Sequence, residues 1–287
     1  MKSKVYFSKN ISPETLVTLY NKLGICLDGN VAVKVHSGEK GNQNFLRPPF
    51  FKPLVDLVDG TIIETNTAYE GARHNTEVHL KTLAERGWTG LFKTAILDSE
   101  GPDLVLDIED GQRIKQNFVG KNLADYNSIL VLSHFKGHPA GGYGGALKQL
   151  SIGFASAYGK KYIHGVGNTT NFWHGDHDSF LMSMADAASS VVKMFEGKAA
   201  YINVMMNMSV DCDCCAEAED PCMNDIGVLA STDPVAIDKA CLDLVYASDD
   251  KGKEHLINRI ESRNGLLTPK SAEKLGIGSL DYELIEI

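Results

Sequence analysis

The sequence predicts an α/β fold, with a central, mostly parallel sheet flanked by helices, an appended hairpin and loop insertions. Two observations predict it. Short apolar runs alternate with helical patterns along the chain, and those runs are nearly continuous in apolar residues, as strands buried on both faces are. No low-complexity stretch or linker divides the chain, so residues 1–287 read as one α/β unit.

Taken in order, "KVYFS" (4–8) reads as the first strand. "SPETLVTLYNKLG" opens with Ser12 as an N-cap and Pro13 at the first helical position, and Gly24 lies beyond its end. "NVAVKVH" (30–36) is a β-branched strand, "KPLVDLV" (52–58) a short amphipathic helix and "TIIETN" (61–66) another strand. "EVHLKTLAERG" (77–87) is a helix closed by a glycine, and "KTAILD" (93–98) returns to strand. Region 99–127 alternates apolar and polar residues around an Asp-Gly turn, which predicts a hairpin appended to the sheet. "SILVLSH" (128–134) is the clearest buried strand, "DSFLMSMADAASSVVKMF" (178–195) a long helix and "AAYINVMM" (199–206) a strand. "DIGVLAS" (225–231) then leads into the helix of "TDPVAIDKACLDLVY" (232–246), capped by Thr232 or Asp233.

Composition sets limits on partners. A formal charge of −9 without a basic face argues against nucleic acid and against an anionic membrane surface. No apolar run approaches the ~18 residues of a membrane-spanning helix. The start, "MKSKVYFSKN", has no apolar h-region, so the expected compartment is the cytoplasm, where thiols stay free or bind metal.

Three stretches could carry chemistry. The first, "SHFKGHPAGGYGGALKQLSIG" (133–153), leaves the best strand at its carboxyl end, where open α/β sheets bind ligands. It holds His134, His138, the glycines Gly141, Gly142, Gly144 and Gly145, and Lys148. A glycine-rich turn lets backbone N–H groups approach an anion, and a lysine at its exit adds charge. A P-loop is excluded because Gln149 follows Lys148, and a dinucleotide fingerprint because the glycine spacing fails. His134 and His138 are four apart but separated by Gly137, so a loop pair of metal-ligand type is the alternative to bland loop histidines.

The second stretch, "IHGVGNTTNFWHGDHDS" (163–179), contains His164, His174, Asp176 and His177. Residues 174–178 read better as a solvated helix cap than as ligands. The third, "SVDCDCCAEAEDPC" (209–222), gathers four of the six cysteines. It lacks the spacing of a ferredoxin or a structural zinc site. If extended, it points Cys212 and Cys214 to one side, where they could clamp a soft metal. Neighbouring carboxylates would raise the thiol pKa values, which favours metal ligation over a free nucleophile. Cys26 and Cys241 read as core residues on helices.

"SHFKGHPAGGYGGALKQLSIGFASAYGKKYIH", "CDC" and "DIGVLASTDPVAIDKACLDLV" together resemble the domain-of-unknown-function 362 family, whose members are often described as iron–sulfur-centre proteins. "VAVKVHSGEKGN", "TNTAYEGARHN" and "AEKLGIGSLDYELIEI" extend the resemblance over the chain. Many relatives carry a ferredoxin-like insert where this chain has only "GVGNTTNFWHGDHD", near 165–178. A ferredoxin-type 4Fe-4S cluster is therefore not expected from this chain alone.

The order histidine, Gly-Gly turn, lysine, histidine is also distantly similar to the amino-terminal domain of lactate racemases. That resemblance implies a cofactor role for Lys148, a nickel-ligand role for His164 and acid/base roles for His138 and, less directly, His74. It further implies a phosphate or carboxylate received by the glycine turn, with Lys34 or Arg73 adding charge.

The expectation is an enzyme that uses a metal ion (nickel, iron or zinc) or metal cofactor on a small anionic molecule, with proton or hydride chemistry at a hydroxy acid as its finer form. The alternatives are an iron–sulfur or other metallocentre protein for electron transfer, and a non-catalytic binder of a small anion or partner. The candidate catalytic residues are His138 and His74. Lys148, Gly141, Gly142, Gly144 and Gly145 are the cofactor-binding candidates, and His134, His164, Cys212 and Cys214 the metal ligands. A homodimer and a separate ferredoxin-like protein are the candidate protein partners.

Overall fold

The structure, a computed structural model, describes residues 2–287. In chain order, β1 (Ser3–Ser8), α1 (Pro13–Lys22), β2 (Val31–Lys34), α2 (Pro48–Leu57), β3 (Thr61–Glu64), α3 (Thr76–Glu85) and β4 (Thr94–Ile96) come first. Next come β5 (Leu104–Asp107), β6 (Gln116–Val119), β7 (Ser128–His134), β8 (Lys136–His138) and β9 (Gly142–Gly144). Then α4 (Ala146–Lys148) widens into a π turn over Gln149–Gly153, followed by α5 (Ala157–His164), α6 (His177–Met194) and β10 (Ala199–Met205). The chain closes with β11 (Gly227–Ser231), α7 (Pro234–Ala247), α8 (Lys253–Ser262), α9 (Leu267–Lys274) and β12 (Tyr282–Glu286).

Eight strands form one sheet in the order β12-β1-β11-β10-β7-β2-β3-β4. β11 runs antiparallel to both its neighbours, and the other pairs are parallel. The sheet is therefore α/β and mostly parallel, as the apolar strand runs predict. Burial on both faces follows the two-residue period of a strand. On β7, Ile129 and Val131 join the core under α6 and α7, while Leu130 and Leu132 join the core with α1 and α2.

Capping chemistry sets the helix ends. Ser12 accepts from the Thr15 N–H at 3.2 Å, and Asp233 accepts from the Val235 and Ala236 N–H groups at 2.8 and 2.9 Å. α2 starts four residues before the predicted start because Pro48 takes a first-turn position, where its missing N–H is no loss.

The expected hairpin is present at 104–119 as a small two-stranded sheet, with Val119 also bridged to Ala155. Two other expectations are corrected. The segment carrying His138 is a second small hairpin, β8 with β9, rather than a loop. Cys26 lies exposed in the loop after α1, whereas Cys241 is buried on α7.

Parallel strands β10, β7, β2 and β3 release their chains at one edge of the sheet, and the loops that carry the candidate residues gather there.

Candidate metal and anion site

A cavity of about 220 Å³ opens at this edge. Its walls include His36, Arg73, His138, Lys148, Lys160 and His164, with Cys214 facing it. Ile152, Pro139, Ala140 and Trp173 supply apolar surface.

The cysteine stretch is placed by the 36–46 loop. Asn42 donates to the Cys215 carbonyl at 2.9 Å, Asn44 to the Glu219 carbonyl at 2.7 Å and Gln43 to the Ala218 carbonyl at 2.7 Å. The stretch is not extended. The Cys215 N–H donates to the Cys212 carbonyl at 2.9 Å, and this turn brings the sulfurs of 212 and 214 together. With His36 they form a cluster whose ligand atoms all lie within 4.8 Å of one another.

His36 was missing from the sequence-derived ligand set. Its signal was its position just past an apolar parallel strand, at the carboxyl end. Cys222 lies apart, its thiol donating to the Met208 carbonyl at 3.3 Å.

The expected rise in thiol pKa fails at Cys212. Asp213 turns away to His134 and Lys136, and Asp211 faces Arg259 at 3.3 Å. A hydrogen bond with Cys214 holds the Cys212 thiol well below its ordinary pKa against the opposing effect of burial, with Lys148, Lys136 and His138 adding to it. The same bond raises Cys214. Lys148 Nζ lies 3.5 Å from Cys212 Sγ. Burial would lower the Lys148 pKa, but Cys212 and Cys214 outweigh it and raise it.

His138 and His164 both reach the cavity. The N–H groups of Ala140 and Gly141 donate to His138 Nδ1 at 3.1 and 2.8 Å. The neutral ring therefore carries its proton on Nε2, and it stays neutral because burial, then Lys148, lowers its pKa. His138 Nε2 is thus a donor in this tautomer. His164 stacks on Phe180 with centroids 4.4 Å apart, and burial pushes its pKa down to about 3.

Three sequence-derived assignments are corrected. His134 has Asp213 on Nδ1 at 2.9 Å and the Met206 carbonyl on Nε2 at 2.6 Å, so no lone pair is free for a metal. His74 is partly exposed outside the cavity, held by the Gly71 carbonyl at 2.7 Å and by Asn75 at 2.8 Å. Gly141, Gly142, Gly144 and Gly145 do not cradle an added anion. The N–H groups of Ala146 and Leu147, just beyond them, donate to the Asp238 carboxylate at 2.7 and 3.0 Å, so the anion is the protein's own. Asp176 caps α6 through the Ser179 N–H at 2.9 Å, in keeping with the cap reading of 174–178.

Two charged pairs, missed as pairs in the sequence, lie at the cavity, which Lys34, Glu64 and Arg73 line. Lys34 lies 2.5 Å from Glu64, and Arg73 donates to Glu39 at 3.1 Å. Lys148 and Lys160 have no such carboxylate among the described residues.

Fold and site together define an α/β protein with a thiol–imidazole cluster set in a cationic, partly apolar cavity at its strand ends. The chain belongs to the family described as Domain of unknown function (DUF362), whose model matches residues 31–243 and so spans every cavity residue named above. No curated protein matches the chain.

Among solved structures it is similar to the lactate racemase apoprotein from Thermoanaerobacterium thermosaccharolyticum, at 14% identity and a TM-score of 0.43, over 69% of this chain and 50% of that one. It is also similar to a protein from Thermotoga maritima, at 12% identity and a TM-score of 0.43, over 91% and 58% of the two chains. The chain thus spans little more than half the length of these two. No helix among the described residues is long and apolar enough to cross a membrane.

Proposed function

We propose that the chain is a metal-dependent enzyme acting on a small anionic molecule. One observation carries this reading: the ligand atoms of His36, Cys212 and Cys214 converge within 4.8 Å beside a partly apolar cavity that also presents Arg73, Lys148 and Lys160. Imidazole and thiolate suit zinc, nickel or iron, whereas calcium and magnesium prefer oxygen. Three protein ligands leave a coordination position open, as catalytic sites do. An ion there would supply Lewis acidity toward a substrate oxygen. Lys148 and Arg73 would attract the anion, and His138 Nε2–H would donate to charge developing on it. Proton or hydride chemistry at a hydroxy acid is the finer form of this proposal.

The test is metal analysis of protein purified without oxygen. Stoichiometric nickel, iron or zinc is expected in the wild type and absent from a C212S/C214S variant with an unchanged thermal melt. Equal metal in both would overturn the assignment of these ligands.

Metal uptake should also release a proton. The Gly38 N–H donates to His36 Nδ1 at 3.2 Å, so the neutral ring carries its proton on Nε2, which lies 4.0 Å from Cys212 Sγ. Neutral His36 ligates without net proton loss, its proton moving to Nδ1, whereas the raised Cys214 thiol must expel its own, so affinity should fall as pH falls. Calorimetry in two buffers of different ionisation enthalpy measures the release, and buffer-independent heats would contradict it.

A further inference from the structure

Three buried lysines and the half-buried Lys148 serve this end of the sheet, and one of the buried three lacks a counter-charge. Lys34 has Glu64 at 2.5 Å, Lys136 has Asp213 at 2.9 Å and Lys148 has the Cys212 sulfur at 3.5 Å. Lys160, only 8% exposed, donates to Thr65 Oγ1 at 2.6 Å and to the Ala155 carbonyl at 2.7 Å, and forms no ion pair with a described carboxylate. An ammonium has three donors, so one is left for whatever the cavity holds. A buried, unpaired ammonium costs several kcal/mol by general estimates, which an anionic ligand would offset.

We propose that Lys160 anchors the oxyanion of the substrate, making the cavity a site for a small carboxylate or phosphate ester. The reach of that molecule to the metal rests on the function proposed above; the anchoring does not.

The cavity gives the geometry. Lys160 and Thr65 line the same cavity as His36 and Cys214, at the carboxyl ends of the neighbouring parallel strands β2 and β3. An anion held by Lys160 would therefore share the cavity with His36 and Cys214 of the metal-ligand cluster, so a short molecule suffices to bridge the two.

The charges around Lys160 fit an anion site. Burial chiefly, with Lys34 and Arg73 also opposing, brings its pKa down to about 7. Asp98 and Glu64 pull the other way, but the two Asp98 oxygens are occupied by the N–H groups of Asn66 and Ala157. From α3 and α5, His79 and His164 are both held near 3 and so are neutral, and Asp103 is engaged by Ser156 at 2.5 Å. Lowering the pH through about 7 thus charges Lys160, and an anion binding above that pH takes up a proton.

The test uses the full chain stripped of metal with a chelator, so its result is independent of whether a metal binds. Oxalate and inorganic phosphate are titrated separately by calorimetry at pH 6 and pH 8.5. At least one should bind more tightly at pH 6, with proton uptake at pH 8.5; oxalate alone would mark a carboxylate site, phosphate alone a phosphate-ester site. K160M should weaken binding by about tenfold or more, the scale of one lost charge-assisted hydrogen bond. K160M should also fold, since it removes an unpaired charge, and a thermal melt checks this. K160R, charged throughout, should bind, and for oxalate, which stays fully ionised at both pH values, should lose the pH dependence. No binding of either anion, unchanged affinity in K160M, or pH dependence of oxalate binding surviving in K160R would overturn the proposal.

Discussion

Asp213→Ala should lower the free energy of unfolding by about 3–5 kcal/mol, the scale for removing one partner of a buried charged group, and should abolish metal binding. The carboxylate is buried between His134 Nδ1 at 2.9 Å and Lys136 Nζ at 2.9 Å, and its own backbone carbonyl accepts the Glu39 N–H at 2.8 Å. Without it, Lys136 is left as a buried ammonium, and the turn that holds Cys212 beside Cys214 loses its tie to β7 and β8. Urea denaturation gives the stability and metal analysis the second effect. A loss below about 1 kcal/mol would show that water replaces the carboxylate.

The pH dependence has a definite sign. Burial opposes ionisation of Asp213, but His134 and Lys136 overcome it and hold the pKa below the carboxylate range. A depressed carboxyl pKa stabilises the fold above its unfolded value of about 3.9, and that contribution is lost as pH falls further. The wild type should therefore be well ahead of D213N at pH 7, and the gap should shrink progressively below about pH 4.

What the sequence discloses of this site depends on how local each cause is. "SILVLSH" gives β7 with its observed bounds because an unbroken apolar run is a local signal, and Ser12 and Asp233 mark helix starts through hydrogen bonds two or three residues away. β12 is hidden because it is an exposed edge strand, whose pairing with β1 joins residues about 280 apart in the chain. The same contrast runs through the site. Cys212 and Cys214 stand out by proximity alone. That His134 is an anchor and His36 a neighbour of the sulfurs follows only from tertiary partners: Asp213 for one, the turn at 212–215 for the other. Charges inside apolar strands, Lys34 in "VAVKV" and Glu64 in "TIIET", were a usable signal, since a buried charge in a strand requires a partner.

Asp238→Ala should destabilise the protein by about 3 kcal/mol or more, because it strands several buried donors at about 1–3 kcal/mol each. The Asp238 carboxylate accepts from the N–H groups of Ala146 and Leu147 at 2.7 and 3.0 Å, from Asn203 Nδ2 at 2.7 Å and from the Tyr143 hydroxyl at 3.3 Å. Burial still raises its pKa to about 6. Gly145 admits this group, since a Cβ there would stand 2.4 Å from Asp238 Oδ1. Gly145→Ala should therefore also destabilise, by pushing the carboxylate off its donors. The two changes should not add: once Asp238 is alanine, the obstacle to a side chain at 145 is gone, and the double variant should be hardly less stable than Asp238→Ala alone. Urea denaturation of the four proteins measures this coupling. Additive losses would mean that Gly145 is required for its backbone rather than for the carboxylate, and would return the glycine turn to consideration as a ligand cradle.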